Sequence, residues 1–281
     1  FNIARNWNRL KKSTWGRDFQ TARIGFVSAP SNINVIGKPL NGILAYRTDG
    51  VYQNDNEVPF CYINGRKRPL GVGSLFYRAG DRIIQDYDGN GRIGTSLPLE
   101  EDRVYCGSPL PIAQGGIVST LNWKGFDLNL LFNYVIGRHI LNAGKGASLG
   151  TYMSAFEKEL TKPVFADLSK VSFWQKPGDR ADYPANRLED GLMNFSTYLS
   201  SNIEKVSYLK LKTLTLGYTL PVKWKEKLGF GARIFISAEN LFTITNYSGP
   251  DPESVDIITG VDNLTNYPLA TRVTFGLTLK L

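Results

Sequence analysis

The sequence predicts an all-β chain that forms part of a transmembrane antiparallel β-barrel. Three observations support this fold class: the last eleven residues alternate between apolar and polar side chains, six further segments do the same, and short and long connections follow one another in turn. Alternation with a period of two places one set of side chains on each face of a strand. Barrel strands need one apolar face toward lipid and one polar face toward the lumen.

The C-terminal strand, residues 271–281, shows the most regular alternation. Its apolar side chains share one face, and Thr, Gly and Lys occupy the other. The apolar set is Val273, Phe275, Leu277, Leu279 and Leu281. Such a terminal strand is typical of outer-membrane barrels, in which the last strand closes the cylinder. The sequence has no apolar run of about 18 residues, the length of a membrane helix, so we expect strands to span the membrane.

The other predicted strands cover residues 19–28, 38–46, 114–123, 126–137, 207–219 and 231–241. In the strand over 126–137, every second residue is apolar, and the opposite face carries Asp127, Asn129 and Asn133. This is the pattern expected of a strand that separates lipid from a hydrated lumen.

The strand over 207–219 contains a change of phase. Its apolar positions shift from one face to the other between Leu211 and Leu214. An extra residue in one strand of an antiparallel pair produces such a shift. We therefore expect a β-bulge near Lys212 and Thr213.

The predicted connections alternate between short and long. Lys124 and Gly125 form a two-residue hairpin turn, and residues 29–37 and 221–230 are also short links. The long connections cover residues 47–113, 138–206 and 242–270. Outer-membrane barrels have short periplasmic turns and long extracellular loops, so we expect the long connections on the outer side.

Seven strands do not close a barrel, because single-chain bacterial barrels have an even number of at least eight strands. We therefore expect residues 1–281 to be the C-terminal part of a longer barrel or one piece of a split barrel. Trp123 and Trp224 both fall at predicted short turns, where aromatic residues form a girdle at the membrane interface.

Composition argues against other classes of function. The net charge is +8, but the basic residues are scattered, and the tightest run, Arg66–Arg68, reads as a solvated loop. We therefore expect no nucleic-acid partner. A single histidine, His139, disfavours a Ser-His-Asp triad, and no carboxylate spacing picks out a glycosidase pair. We expect no enzyme. Cys61 and Cys106 are compatible with either a disulfide or two free thiols.

One segment carries the first half of a calcium-loop pattern. Asp86, Asp88 and Asn90 occupy positions 1, 3 and 5, Gly91 occupies the turning position 6, and Arg92 supplies a backbone carbonyl at position 7. Oxygen ligands at this spacing suit Ca²⁺ better than a transition metal. The sequence therefore predicts Asp86, Asp88, Asn90 and Arg92 as ligands of a structural Ca²⁺.

The second half of that pattern is absent. Gly94 and Leu97 stand where a calcium loop has its ninth and twelfth ligands. Glu100, Glu101 and Asp102 follow after an insertion, and one of these carboxylates is expected to fold back and complete the set. The alternative is a turn rich in Gly, Asp and Asn that holds no metal.

Six segments carry a resemblance to a known family. They are residues 37–53 (GKPLNGILAYRTDGVYQ), 80–93 (GDRIIQDYDGNGRI), 102–111 (DRVYCGSPLP), 174–179 (WQKPGD), 208–221 (YLKLKTLTLGYTLP) and 233–243 (RIFISAENLFT). In this order they resemble the SusC/RagA-type TonB-dependent transporters of the Bacteroidota outer membrane. Leu281 departs from the family, which usually ends in an aromatic residue.

The resemblance implies a 22-stranded barrel with an N-terminal plug. It also implies import of oligosaccharides or peptides, energised by the TonB complex, together with a SusD-like surface lipoprotein. The plug, the TonB box and the N-terminal strands are absent from residues 1–281. The expected partners are therefore the remaining barrel and plug, the TonB complex through that missing part, the SusD-like lipoprotein and outer-membrane lipid.

Two alternatives stay open at this point. One is a barrel scaffold or channel component of a cell-envelope assembly that imports no nutrient. The other is a soluble β-sandwich binding module, in which the apolar face of residues 126–137 would pack inside the protein.

Overall fold

The computed structural model describes residues 1–14, 16, 18–20, 32–94, 102–145, 172–185, 187, 192–263 and 266–280. One long antiparallel sheet dominates this part of the chain, and the long connections fold into smaller sheets at one end of it. None of the helices in these described ranges is long and apolar enough to cross a membrane.

The strands of the described residues are numbered along the chain. They are β1 (Asn2–Arg5), β2 (Phe19–Gln20), β3 (Asn32–Asn34), β4 (Gly42–Tyr46), β5 (Thr48–Val51), β6 (Phe60–Ile63), β7 (Arg66–Pro69), β8 (Gly71–Val72), β9 (Leu75–Phe76), β10 (Arg82–Ile84), β11 (Arg103–Tyr105), β12 (Ala113–Trp123), β13 (Phe126–Asn142), β14 (Ile203–Thr219), β15 (Gly231–Thr245), β16 (Val261–Asp262) and β17 (Arg272–Lys280). Helix α1 covers Val222–Leu228, and 3₁₀ turns cover Asp55–Glu57 and Ser200–Asn202.

The main sheet has the order β1-β12-β13-β14-β15-β17, with every neighbouring pair antiparallel. The short strand β16 adds to β13 in parallel. Strands β12, β13, β14, β15 and β17 confirm five of the predicted barrel strands, and the fold class is confirmed as an antiparallel sheet of barrel type. The sequence did not predict β1.

One row of side chains crosses the sheet near the end that carries the short turns, which we call the lower end. Cross-strand pairing aligns Trp123, Phe126, Tyr218, Ile234 and Leu277. The turn at Lys124–Gly125 and helix α1 both lie beyond this row, and Lys280 pairs with Gly231 at the same end. The three long connections leave from the opposite end, as predicted.

The apolar face of the sheet is exposed, as contact with lipid requires. Its exposed members include Ile117, Leu121, Trp123, Phe126, Leu216, Ile234, Val273, Phe275, Leu277 and Leu279. Trp123 and Trp224 at the two short turns are 66% and 57% exposed. Large exposed apolar faces are rare on soluble proteins, so this exposure argues against the β-sandwich alternative.

The predicted β-bulge is present at Lys212. Relative to β13, strand β14 has one extra residue between Leu211 and Thr213. Opposite it, β15 has its own extra residue next to Asn240, whose φ is 52°. A further bulge in β13 falls at Gly137, whose φ is 68°.

Two predicted barrel strands are not in the main sheet. Residues 38–46 contain β4, which pairs with β3 and β11 in a small sheet among the long connections. Every residue of Gly42–Tyr46 is buried, so β4 is a core strand, and sequence alternation alone did not separate it from a membrane strand. Of predicted residues 19–28, only Phe19–Gln20 are described. They pair with β3 in the same small sheet, and residues 21–28 lie outside the described ranges.

The first long connection therefore begins after β1 and runs from residue 6 to residue 112. Residues 6–112, 143–202 and 246–271 are long connections, and residues 124–125 and 220–230 are short. Short and long connections thus still alternate, but the predicted short link over residues 29–37 was wrong, because it falls inside the first long connection. We refer to the part of the long connections that the structure describes as the cap.

The cap has a hydrophobic core of its own. Residues from the first and second long connections build it together: Tyr46, Tyr52, Val58, Leu70, Tyr77, Ile84, Ile93, Leu192 and Leu199. Burial raises the pKa of the Tyr52 hydroxyl to about 12. Since both connections contribute to one core, the cap is packed structure and not a set of independent loops.

We expect Leu199→Ala to destabilise the cap. Leu199 is 2% exposed, and removing a buried Leu side chain typically costs about 2–5 kcal/mol. Hydrogen exchange of cap amides in the full-length protein should show faster local opening. Leu75→Ala is the matched control, because Leu75 lies in the cap but is 46% exposed. Equal effects of the two substitutions would contradict a shared core.

Candidate functional site

The acidic loop, residues 86–94, follows β10 in the cap. Two glycines in left-handed conformation turn the chain back on itself: Gly89 has φ 70° and Gly91 has φ 79°. A Cβ at Gly91 would lie 2.3 Å from Cys61 Sγ. Position 91 therefore requires glycine both for its backbone conformation and for space.

Backbone N–H groups of the acidic loop point at its own carboxylates. Gly89 and Gly91 each donate to Asp86 at 2.8 Å, and Asn90 donates to Asp88 at 2.9 Å. These bonds wrap the chain around the carboxylates, an arrangement that suits both a cation-binding loop and a turn rich in Gly, Asp and Asn.

Asp102 completes the cluster, as the sequence predicted of one of three acidic residues. It is fully buried, and its two oxygens accept N–H bonds from Tyr87 at 2.8 Å and Gly94 at 2.7 Å. Carboxylate oxygens of Asp86, Asp88 and Asp102 lie within 4.8 Å of one another. Glu100 and Glu101 lie outside the described residues.

Of the other two predicted ligands, Asn90 directs its amide to its neighbours. Its Oδ1 accepts the N–H of Arg92 at 2.7 Å, and its Nδ2 donates to Asp88. The Arg92 side chain is exposed. The roles of Asn90 and Arg92 as ligands stay predictions.

Burial and neighbouring carboxylates disfavour the charged form of Asp86. Burial raises the pKa of Asp86, and the adjacent Asp88 and Asp102 carboxylates raise it further, against the N–H bonds from Gly91 and Gly89, which lower it. A bound cation would offset the repulsion between these carboxylates. Three carboxylates suit a hard cation such as Ca²⁺.

The polar face of the main sheet is the second candidate site. Of the predicted polar residues, Asp127 forms an ion pair with Arg233, and Asn129 accepts a bond from Thr120 at 2.9 Å. Gly217 lies between the paired side chains. A Cβ there would fall 2.4 Å from Arg233 and 2.5 Å from Asp127. Glycine at this position makes room for the ion pair, a role that sequence alternation did not indicate.

The third long connection is anchored to the polar face by charges. Lys210 Nζ lies 2.8 Å from Asp251 and 3.0 Å from Glu253, and Lys212 Nζ lies 3.0 Å from Glu253. Lys210 and Lys212 are two residues apart and share a face of β14. Lys210 is only 2% exposed, so this cluster is desolvated and depends on its pairing.

A second anchor of this connection uses backbone carbonyls. The Arg138 guanidinium, on β13, donates to the carbonyl of Asp256 at 2.9 Å. Within the connection itself, the Tyr247 hydroxyl donates to the carboxylate of Asp262, which lies in β16 beside β13. Burial and this carboxylate raise the pKa of Tyr247, so the hydroxyl keeps its proton and donates. The third connection is thereby held over the upper end of the sheet.

The pairing of Asp251 with Lys210 predicts that the stability of the protein depends on pH. Burial raises its pKa, but the bonds from Lys210 and from the N–H groups of Glu253 and Leu269 outweigh burial and lower it. A lowered pKa gives stability that is present above the ordinary carboxyl value of 3.8 and is lost as the pH falls through the folded-state pKa.

We therefore expect Asp251→Asn to cost about 3 kcal/mol at neutral pH, because it removes a partner of a buried lysine. The difference between wild type and variant should shrink as the pH falls below 3.8. Thermal unfolding of the full-length protein in detergent measures this. Glu239→Gln is the control, since its pair with Arg272 is long, at 3.9 Å, and exposed. A pH-independent difference would contradict the assignment.

These features define the class of the protein. An antiparallel sheet with an exposed apolar face, a polar face, short turns at one end and a packed cap at the other is a segment of a transmembrane β-barrel.

Comparison with known proteins narrows that class. The chain is 30% identical over 264 residues to TonB-dependent receptor P3 of Formosa agariphila, covering 90% of this chain and 23% of the receptor. It is 26% identical over 294 residues to TonB-dependent receptor SusC of Bacteroides thetaiotaomicron, covering all of this chain and 24% of SusC. No family model matches the chain.

The solved structures show the same fold. A chain in a structure of the RagAB peptide transporter matches 99% of this chain with a TM-score of 0.62 and 22% identity, over 26% of its own length. The open-open state of the RagAB peptide importer matches with a TM-score of 0.61 and 20% identity. The resemblance to SusC/RagA-type TonB-dependent transporters is therefore confirmed. The chain spans about a quarter of the length of the relatives it matches.

Proposed function

We propose that residues 1–281 form the C-terminal part of the barrel of an outer-membrane TonB-dependent importer of oligosaccharides or peptides. The observation that carries this proposal is the match along 90% of the chain to a TonB-dependent receptor. The sheet supports it, because a polar face under a packed cap and an apolar face toward lipid suit a wall of a transport lumen.

The proposed partners follow from the same relatives. A SusD-like lipoprotein would sit on the cap side, where the long connections gather. The RagAB structures to which this chain is similar are structures of a peptide importer. The remaining barrel and plug would complete the lumen, and the TonB complex would engage that N-terminal part. The site of action is the outer membrane of a Gram-negative, Bacteroidota-like cell.

A scaffold or channel role in an envelope assembly without nutrient import is the second candidate. It requires the same sheet and lipid-facing band, so the fold supports it equally. The two functions differ in whether energy from TonB is coupled to uptake of a solute.

Uptake by living cells separates these functions. We expect deletion of the full-length gene to abolish growth on at least one oligosaccharide or peptide in a defined panel. Wild-type protein should restore growth, and a variant without its TonB-interacting segment should not. Because both versions insert the same barrel, the comparison isolates energy coupling. Full growth of the deletion strain on every member of the panel would favour the scaffold.

We also propose that Asp86, Asp88 and Asp102 hold a structural Ca²⁺, with Asn90 and the Arg92 carbonyl as further ligands. The support is the fit of the donor set: carboxylate oxygens converge within 4.8 Å, and oxygen is the donor that Ca²⁺ prefers. The ion would neutralise the carboxylates and connect the loop after β10 to the chain that enters β11.

We expect the full-length protein in detergent to bind Ca²⁺ in calorimetry, and Asp102→Asn or Asp88→Ala to weaken binding at least about tenfold through loss of a charged ligand. Saturation at 100 times Kd should stabilise wild type by about 2.7 kcal/mol. Asp49→Asn is the matched control, because Asp49 is an exposed cap carboxylate outside the cluster. Equal Ca²⁺ binding by all four proteins, or none by wild type, would refute the site.

A further inference from the structure

The hairpin of β6 and β7 projects from the cap. Its two-residue turn, Asn64–Gly65, has positive φ at both positions, 52° and 74°, as a type I′ turn requires. On its rear side, Cys61 Sγ contacts the carbonyl of Gly91 at 3.3 Å. The hairpin therefore rests on the acidic loop by one face and turns the other face away from the cap.

The outward face combines two aromatic rings with a cation. The register pairs Phe60 with Pro69 and Tyr62 with Lys67, so these four side chains share one face. Tyr62 is 74% exposed and Phe60 is 52% exposed. Two residues apart on one strand, they are spaced by about 7 Å.

Lys67 is held beside these rings. Its Nζ lies 4.4 Å from the centroid of the Phe60 ring, a cation–π distance. The ammonium thus stays next to the aromatic surface and remains open to solvent, since Lys67 is exposed.

The hairpin itself is electropositive, whereas the acidic loop under its rear face carries Asp86 and Asp88, and Asp102 lies beside them. Residues 58–80 contain four cations and no Asp or Glu. Among the described residues, Arg66, Lys67 and Arg68 form no ion pair with a carboxylate. Lys67 lies on the outward face, where its charge is available to an anionic ligand, whereas Arg66 and Arg68 pair with Ile63 and Cys61 and lie on the rear face.

We propose that this face, formed by Phe60, Tyr62 and Lys67, is a binding site for acidic oligosaccharides that carry uronate or sulfate groups. The rings of Phe60 and Tyr62 stack on the apolar faces of successive sugars, and Lys67 pairs with the carboxylate or sulfate. The proposal deepens the proposed import function and rests on it for the arrival of solutes at the cap.

Other occupants fit the observations less well. A lipid surface would meet the apolar band of the main sheet, whereas this hairpin belongs to the cap beyond the end of that band. An acidic peptide held by charge needs the cations but not a pair of exposed rings. A neutral sugar needs the rings but not Lys67.

Calorimetry on the full-length protein in detergent tests the site with four probes: oligogalacturonate, sulfated dextran oligosaccharide, neutral dextran oligosaccharide and poly-L-glutamate. We expect at least one acidic sugar to bind more tightly than the neutral sugar and poly-L-glutamate. Tyr62→Ala and Lys67→Gln should each weaken that binding about tenfold. Because both side chains are exposed, neither substitution should disturb folding.

Two matched controls remove the same types of residue elsewhere in the cap. They test whether the loss of binding depends on the position of the substitution. Tyr267→Ala removes an aromatic ring that is 93% exposed on the third long connection, and Lys38→Gln removes an exposed charge elsewhere in the cap. We expect unchanged affinity in both. Binding that survives Tyr62→Ala and Lys67→Gln, equal binding of poly-L-glutamate, or failure of both acidic sugars to bind would overturn the proposal.

Uptake experiments separate failure of this site from failure of the proposed function. If Tyr62→Ala and Lys67→Gln leave the rate of solute import unchanged, the import function is supported and the acidic-sugar site is refuted.

Binding of purified polysaccharide from the cell's own surface distinguishes the source of the ligand. Affinity for that polysaccharide as well as for an acidic oligomer would identify a surface anchor, and affinity for the acidic oligomers without it would identify a capture site; both outcomes support the site.

Discussion

The antiparallel register of the main sheet is the constraint on which the other features depend. In a bilayer, every backbone N–H and C=O must pair within the protein, and a slip of one residue would exchange the lipid and lumen faces. The row Trp123, Phe126, Tyr218, Ile234 and Leu277 shows that the faces stay aligned across five strands. The bulges at Lys212 and Gly137 then act as local adjustments above this row and leave the alignment below them intact.

The same register brings charges together on the polar face. Because Asp127 pairs with Gly217 in β14, and Arg233 lies one strand further on, their side chains meet across the missing Cβ of Gly217. Higher in the sheet, Lys210 and Lys212 hold the third long connection through Asp251 and Glu253. The sheet therefore positions the cap, and the anchoring contacts are charged pairs in a protected environment and not loose surface salt bridges.

Much of the sheet was predictable from sequence, because period-two alternation is a direct consequence of strand geometry. The bulge at Lys212 was predictable for the same reason, as a break in phase. The prediction of a barrel strand over residues 38–46 was wrong. All residues of Gly42–Tyr46 are buried, and alternation alone does not show whether a strand faces lipid or a protein core. The hairpin at Asn64–Gly65 carried a standard turn signal, but treating residues 47–113 as one connection concealed it. The sequence predicted that Glu100, Glu101 or Asp102 would return to the acidic loop but did not select among them. The choice of Asp102 depends on its tertiary contacts with Tyr87 and Gly94.

The two sites proposed for the cap are physically connected through Gly91. Its N–H donates to Asp86 in the acidic loop, and its carbonyl contacts Cys61 on the rear of the hairpin. A cation held by Asp86, Asp88 and Asp102 would stiffen the segment on which the hairpin rests. A rigid support lowers the conformational entropy lost when a ligand binds, so the acidic loop would act on the outward face without touching the ligand. Gly91 would thus serve the proposed metal ligands through its N–H and the support of Phe60, Tyr62 and Lys67 through its carbonyl.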